Sequence, residues 1–385
     1  MIRDGAKPAG RWRLLAAMSA VGLGGCAAED VAPSSTGTFA AVYGSQEDRP
    51  RKLFISGHSL TDRPLPDYLA ALADRAGQPL EWNMQHISGS SIRMRTRGND
   101  PANWSGYREG TDRDRQPIDV LKEFERRPGV APYDTLILNE VHSLLETLIL
   151  NDTIGNAIDY EARFFASNPD GQTYLYAAWL NVEDLDDPTS WIAYESAATK
   201  AWQCTAMQLN DRLIAKGRKR PIRLIPAAPA LAALVRQAVS KPGVKGLSAS
   251  TTRATMERLF TDDVHLTELG NYYVALISYF TLYGELPAEP WTSDIDPALA
   301  GELQKFAGRF MGQWLQEQAR VRIDCRRYLA EQFTASSLSY VRDVKWREAD
   351  GRLRAHYRWV RFSIAWPRLL RGNSPENPFR SRDVS

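Results

Sequence analysis

A serine hydroxyl becomes a useful nucleophile only when a base takes its proton, so the histidines of this chain are the place to begin. There are five: His58, His86, His142, His265 and His356. His265 has the best local chemistry. It lies in Thr261-Asp262-Asp263-Val264-His265-Leu266, and Asp262, three residues earlier, is placed to fold back in a tight turn and hydrogen-bond the imidazole. That bond would set the ring tautomer and stabilise the imidazolium formed on proton transfer. The candidate nucleophile is Ser59 in Ser56-Gly57-His58-Ser59-Leu60, which ends an apolar run just ahead of a helical pattern. Gly57 permits the close approach or positive φ of such a turn, and the nearby helix N-terminus offers positive potential to a developing oxyanion. His58 is set aside as the base, because adjacent side chains on a tight turn diverge. It is expected to line the pocket or to bond the backbone.

These residues need a frame, and the hydrophobic pattern supplies one. Short apolar runs read as strands at Leu53–Ser56, Leu80–Gln85, Thr135–Leu138, Thr173–Leu180 and Ile222–Ile225. Between them, helical spacing runs over Pro66–Ala76, Ile118–Phe124, Ser143–Ser167 and Ser190–Lys216, and later over Leu269–Leu282 and Asp296–Ile323. Strands too apolar for a one-sided sheet, alternating with helices, predict a three-layer α/β/α fold around a central, mostly parallel five-stranded sheet. Right-handed crossovers place all strand C-terminal ends on one rim, where ligands of such sheets bind. Ser59 falls on that rim. So do His58, His86, Glu140 and His142, which makes them pocket candidates and raises a rival reading in which His58, His86 and His142 hold a metal that activates water. Their spacing matches no metal motif, so no metal and no organic cofactor is expected. The polar stretch from Ser90 to Gln116 is long for a connection and reads as a functional loop.

With these pieces in order, the chain resembles the SGNH, or GDSL-like, hydrolase family. Gly57-His58-Ser59-Leu60 is similar to the family's Gly-Asp-Ser-Leu block after the first strand. Gly89 in Ile87-Ser88-Gly89-Ser90-Ser91 resembles the oxyanion glycine after the second, Ile137-Leu138-Asn139-Glu140 the Gly-x-Asn-Asp block after the third, and Asp262 to His265 the Asp-x-x-His block before the last helix. The resemblance covers about Lys52 to Glu285. It implies Ser59 as nucleophile and His265 as base oriented by Asp262. It also implies an oxyanion hole formed by the Ser59 and Gly89 N–H groups and the Asn139 side chain. It departs from the family at His58, Ile137 and Glu140. The implied activity is ester hydrolysis through an acyl-enzyme, on acylated small molecules, lipid or polysaccharide. With 11 Trp in the chain, Trp104 and either Trp179 or Trp191 could stack on sugar rings, which favours O-acetyl groups on carbohydrate. A non-catalytic glycan-binding relative is the alternative.

The ends of the chain say where it works. Arg11 and Arg13 precede the apolar run Leu14–Leu23, and Leu23-Gly24-Gly25-Cys26 resembles a bacterial lipobox. Residues 1–26 therefore read as a signal peptide with Cys26 as the lipidated residue, and residues 27–50 as a flexible tether. The hydrolase domain is expected over 51–290 and a helical, basic, aromatic extension over 291–385. An exported, membrane-anchored lipoprotein on the periplasmic or outer-membrane side follows, or alternatively a secreted protein. With 43% hydrophobic and 24% charged residues the composition is that of a soluble globular protein, and the net charge is only +2. The segment from Arg320 onward is different, with 15 Lys/Arg against 7 Asp/Glu. It could touch an anionic membrane, or simply pack its aromatics on the core; nucleic acid does not fit an exported chain. Cys204 and Cys325 could pair in an oxidising compartment, but spacing alone cannot place them together.

Overall fold

The computed structural model describes residues 49–98, 102–291 and 294–380. The expected signal peptide, Cys26 and nearly all of the tether lie outside the described residues. Five strands form one all-parallel sheet: β1 (Lys52–Gly57), β2 (Glu81–His86), β3 (Thr135–Asn139), β4 (Gln172–Tyr176) and β5 (Arg223–Ile225), in the order β2-β1-β3-β4-β5. The central strands β3 and β4 are buried along their whole length, as strands covered on both faces must be. Edge strand β2, with Glu81 and Asn83 among its residues, alternates instead.

The main helices are α1 (Leu65–Arg75), α2 (Ile92–Thr96), α3 (Val120–Phe124), α4 (Leu144–Leu150), α5 (Thr153–Ser167), α6 (Thr189–Ile214), α7 (Ala227–Val239), α8 (Thr252–Met256), α9 (Glu268–Tyr283) and α10 (Pro297–Gln318). From β1 the chain winds one way to β2, and from β3 the other way to β4 and β5. Right-handed crossovers therefore put α1 on one face and α5 and α6 on the other. Helix α9 packs against α1 and α10 against α9, while α5 packs against α6. The winding reverses beside β1, and the crevice at its C-terminal end is the binding position of such sheets.

Two expected elements differ. The predicted helix Ser143–Ser167 is two helices, because Asp152 takes φ 47° and turns its carboxylate back to cap the Gly155 N–H at 3.1 Å. The strand expected to reach Leu180 ends at Tyr176. Its neighbour β5 stops at Ile225 because the chain turns there into α7; the Ala177 N–H still reaches the Ile225 carbonyl (3.0 Å) and the Ala177 carbonyl takes the Ala228 N–H (2.9 Å), after which β4 has no strand beside it. Residues 177–180 are still buried, and tertiary bonds satisfy them: Trp179 Nε1–H donates to the Val264 carbonyl (2.8 Å), and the Leu180 N–H to Glu195 (2.7 Å). Helix α7, rich in alanine, is an element the sequence reading does not place.

The C-terminal part is helical, as expected, but it shares the core of the α/β body. A helical run over 325–350 contains two five-residue π segments, Leu329–Phe333 and Arg342–Trp346, and is followed by the helix Arg352–Arg371. A Cys204–Cys325 disulfide, Cα–Cα 5.4 Å, ties this run to α6. Trp314, Tyr340, Trp346 and Trp366 are buried in the same continuous apolar cluster as the strands. Most of the tail's aromatics are therefore core residues.

Candidate active site

Ser59 follows β1 directly. Its segment is a single 3-10 turn, Ser59–Thr61, rather than the start of a long helix; α1 begins only at Leu65. Gly57 makes the turn possible by its size. A Cβ there would stand 1.9 Å from the Thr61 Oγ1 and 3.6 Å from the Asn139 Cβ. His58 caps the turn. Its Nδ1 accepts the Leu60 N–H at 3.4 Å, and its Nε2–H donates to the Glu140 carbonyl at 3.3 Å. Both ring nitrogens thus serve backbone groups, and burial, together with the neighbouring His142 and Arg95, holds the ring's pKa well below the usual histidine range.

The second segment is a closed loop before α9. The Thr261 N–H donates to the His265 carbonyl at 2.8 Å, and Phe260 pairs with Leu266. Inside it, Asp262 Oδ1 accepts the Val264 and His265 N–H groups at 2.8 and 2.6 Å. That leaves Oδ2 for the ring: His265 Nδ1–H donates to it at 2.7 Å. Partial burial pushes the Asp262 pKa up, but the His265 N–H and ring and the Val264 N–H outweigh it and hold the carboxyl below its ordinary value. With Nδ1 carrying the proton, Nε2 is an acceptor, and the Ser59 hydroxyl lies 3.1 Å from it. Three residues, two of them 206 positions apart in the chain, form one line of hydrogen bonds. The site is open: the His265 and Asp262 side chains are 46% and 49% exposed.

The remaining candidates separate. Gly89 has φ +63°, a conformation suited to glycine, and lies in the turn after β2, whose His86 pairs with Gly57. Neither the Ser59 nor the Gly89 N–H donates to a protein acceptor among the described residues. Asn139, in contrast, is fully buried, and its amide donates to Thr61 Oγ1 at 3.2 Å. It braces the nucleophile turn from behind instead of facing the opening. Glu140 is also a buried brace and not a pocket residue. Its carboxylate accepts the Ile92 and Val141 N–H groups at 3.1 and 2.8 Å and the Thr153 hydroxyl at 2.6 Å, while burial raises its pKa. His86 Nδ1 stands 3.5 Å from the Asp62 carboxylate and makes no hydrogen bond, and Arg115 grips that carboxylate with two bonds of 2.9 Å. His142 packs edge-on against His58, ring centroids 5.6 Å apart. Burial, then the charges of Lys345 and His265, lower its pKa to about 3, so it is neutral at physiological pH.

The metal reading loses its geometry here. His58 has no free nitrogen, and among the described residues no three His, Cys, Asp or Glu side chains converge. The aromatic candidates also fall away. Trp179 and Trp191 are buried, with their indole N–H groups on the Val264 and Leu180 carbonyls, and Trp104 lies under the Arg97 guanidinium at 3.6 Å.

Other residues at the site carry no signal in the sequence. Arg95, buried in the loop expected to be functional, donates Nε–H to Ser56 Oγ (2.9 Å), Nη1–H to the Ser90 carbonyl and hydroxyl (2.7 and 2.6 Å), and Nη2–H to the Asn139 carbonyl. One guanidinium thereby ties together the ends of β1, β2 and β3. Burial draws its pKa down to about 10, so it remains a cation at neutral pH. From the distant C-terminal run, Lys345 donates to Ser143 Oγ at 3.2 Å beside His142, and the Tyr340 hydroxyl donates to the Asn181 carbonyl at 2.7 Å. Asn181 in turn donates to Asp263, in the loop that holds His265, at 2.8 Å.

Fold and site together define an all-parallel α/β protein with a Ser-His-Asp line on its carboxyl rim. No protein-family model matches the chain, and no curated protein matches it. A solved structure, a DUF4886 family protein from Bacteroides uniformis, is similar with a TM-score of 0.46 and 17% identity, over 68% of this chain and 94% of that one. A likeness at that level is distant.

Proposed function

We propose that the protein is a serine esterase of the SGNH, or GDSL-like, type that removes short acyl groups, O-acetyl foremost, from a carbohydrate carrier. The observation that carries this reading is the Ser59–His265–Asp262 line, with its bonds of 3.1 and 2.7 Å and the tautomer they impose. Ser59 Oγ attacks the ester carbonyl carbon as its proton passes to His265 Nε2. The carbonyl oxygen, now negative, takes hydrogen bonds from the Ser59 and Gly89 N–H groups, and each such donor is worth about 2.7–4 kcal/mol in related chemistry. The C–O bond to the alcohol then breaks, and His265 returns the proton to that leaving oxygen. Water repeats the sequence on the acyl-enzyme and frees the acid and Ser59. The chemistry draws on no cofactor.

The half-exposed triad supports a bulky alcohol and a small acyl group, because an open surface admits a large carrier but offers no deep slot for a long chain. The Cys204–Cys325 bridge supports an oxidising compartment, and with it export; lipidation at Cys26 and membrane anchorage rest on the Leu23-Gly24-Gly25-Cys26 pattern. The test is hydrolysis of acetylated sugars and of p-nitrophenyl esters of increasing chain length, alongside fluorophosphonate labelling. Labelling on Ser59 and a preference for acetyl are expected. Full esterase activity in Ser59→Ala would end the serine mechanism. Glycan binding without labelling would point to a non-catalytic relative, and loss of activity on chelation to a metal.

A further inference from the structure

The last long helix, Arg352–Arg371, has two unlike sides. Ala355, Trp366 and Leu370 are buried on the body, and Arg358 fastens the helix there through Glu146 (3.0 Å) and Asp350 (2.6 Å). On the opposite side Leu353, Tyr357, Val360 and Ile364 are 88%, 68%, 40% and 51% exposed. Their spacing of four, three and four residues sets them in one stripe along the axis. Scattered exposed apolar residues are ordinary. These are not scattered: four of the eight large hydrophobics that stand more than a third exposed among the described residues form this single stripe.

Charge identifies what covers it. Arg354, Arg361 and Arg368 recur every seven residues along one border of the stripe, all exposed and none ion-paired among the described residues. The helix contains six Arg and no Asp or Glu. We propose that this face docks on an anionic lipid bilayer, with Leu353, Tyr357, Val360 and Ile364 entering the headgroup boundary and the Arg row lying among lipid phosphates. An apolar centre bordered by long cationic side chains is what such a boundary accepts, since arginine stems lie along the apolar zone while their heads stay in the polar one. A polyanion such as nucleic acid would engage the Arg row but leave Leu353 and Ile364 without a partner. A second copy docking through the same helix would bring six more Arg and no acid from that helix. The proposal is independent of the ester chemistry.

The test uses the full chain carrying Cys26→Ser, so that no acyl chain forms, with phosphatidylcholine vesicles prepared with and without phosphatidylglycerol. Binding only to the anionic vesicles is expected. It should fall by about tenfold or more, relative to the same Cys26→Ser background, in Leu353→Glu/Ile364→Glu and also in Arg354→Gln/Arg361→Gln/Arg368→Gln. Thermal melts of both variants should match the parent, because the replaced side chains are exposed. Loss in the Arg variant alone would show a general polyanion patch and overturn the proposal. So would equal binding in all three proteins, or a stripe variant that turns a dimer into a monomer in light scattering without changing vesicle binding.

Discussion

Asp262 does two jobs with one carboxylate, and the division of labour sets what its replacement does. One oxygen holds the backbone of the loop and the other holds the His265 ring. In Asp262→Asn the amide group can satisfy only one of these sets, and the ring loses its preference for the productive tautomer. A fall of roughly 10²- to 10⁴-fold in kcat/KM for p-nitrophenyl acetate is expected, with water at this exposed site softening the effect. The neutral histidines have a different signature. Buried His58 and half-buried His142 refuse protons that the same rings in the unfolded chain accept below about pH 6.5. Their contribution to stability is thus complete above that pH and is lost as pH falls toward their depressed folded values, near 3 for His142. Denaturant melts at about pH 7.5 and about pH 5 should show the loss, up to ~1.4 kcal/mol per pH unit for each ring. His142→Gln should flatten the slope; an unchanged slope would contradict the burial argument.

At the scale of elements, the site is a problem of registering strand ends. Each of β1, β2 and β3 delivers its loop to the same rim, and Arg95 holds the three in mutual position through Ser56, Ser90 and Asn139. Lysine keeps the charge but cannot reach three acceptors at once, because it lacks the planar fork. Arg95→Lys should therefore lower kcat by about 10- to 100-fold through misplacement of the Ser59 turn, with a lower melting temperature. Unchanged kinetics would make Arg95 a core residue only. The strands and most helices are legible from apolar periodicity, since both faces of the sheet are covered. The breaks are less so. Nothing in Ser143–Ser167 announces that Asp152 will adopt a left-handed conformation, and the apolar run through Leu180 records burial without revealing that the neighbouring strand has already turned into α7.

Taken as a whole, the molecule braces the loop that carries His265 from the far end of the chain. Tyr340 holds Asn181, Asn181 holds Asp263, and the Cys204–Cys325 bridge clamps the run that carries Tyr340 onto α6. Tyr340→Phe removes two part-buried bonds, one to the Asn181 carbonyl and one from the Glu183 N–H, and should cost about 1–2 kcal/mol, with a modest loss of kcat and little change in KM. The disulfide closes a loop with a sequence separation of 121 residues. Reduction, or Cys204→Ser/Cys325→Ser, should destabilise the fold by about 2–5 kcal/mol, read as a drop in melting temperature with and without dithiothreitol. A reduced protein with an unchanged melt would mean that packing alone holds the extension in place.

The local chemistry was open to reading along the chain. The Asp262–His265 turn spans three residues, and the Gly57–Leu60 turn hangs on one small residue at a strand end, so both follow from nearest-neighbour geometry. The five-stranded parallel sheet follows from strand-length apolar runs in the same way. Roles that depend on who arrives from elsewhere could not be read so. Asn139 and Glu140 sit where a block pattern would have them face substrate, yet both are turned inward, because Thr61, Thr153 and the α2 N-terminus happen to lie within their reach. Arg95 looks like its neighbours Arg93 and Arg97 until three strand ends close around it. Periodicity and turn chemistry are properties of a few consecutive residues, whereas burial and partnership are properties of segments that meet only when the chain has folded.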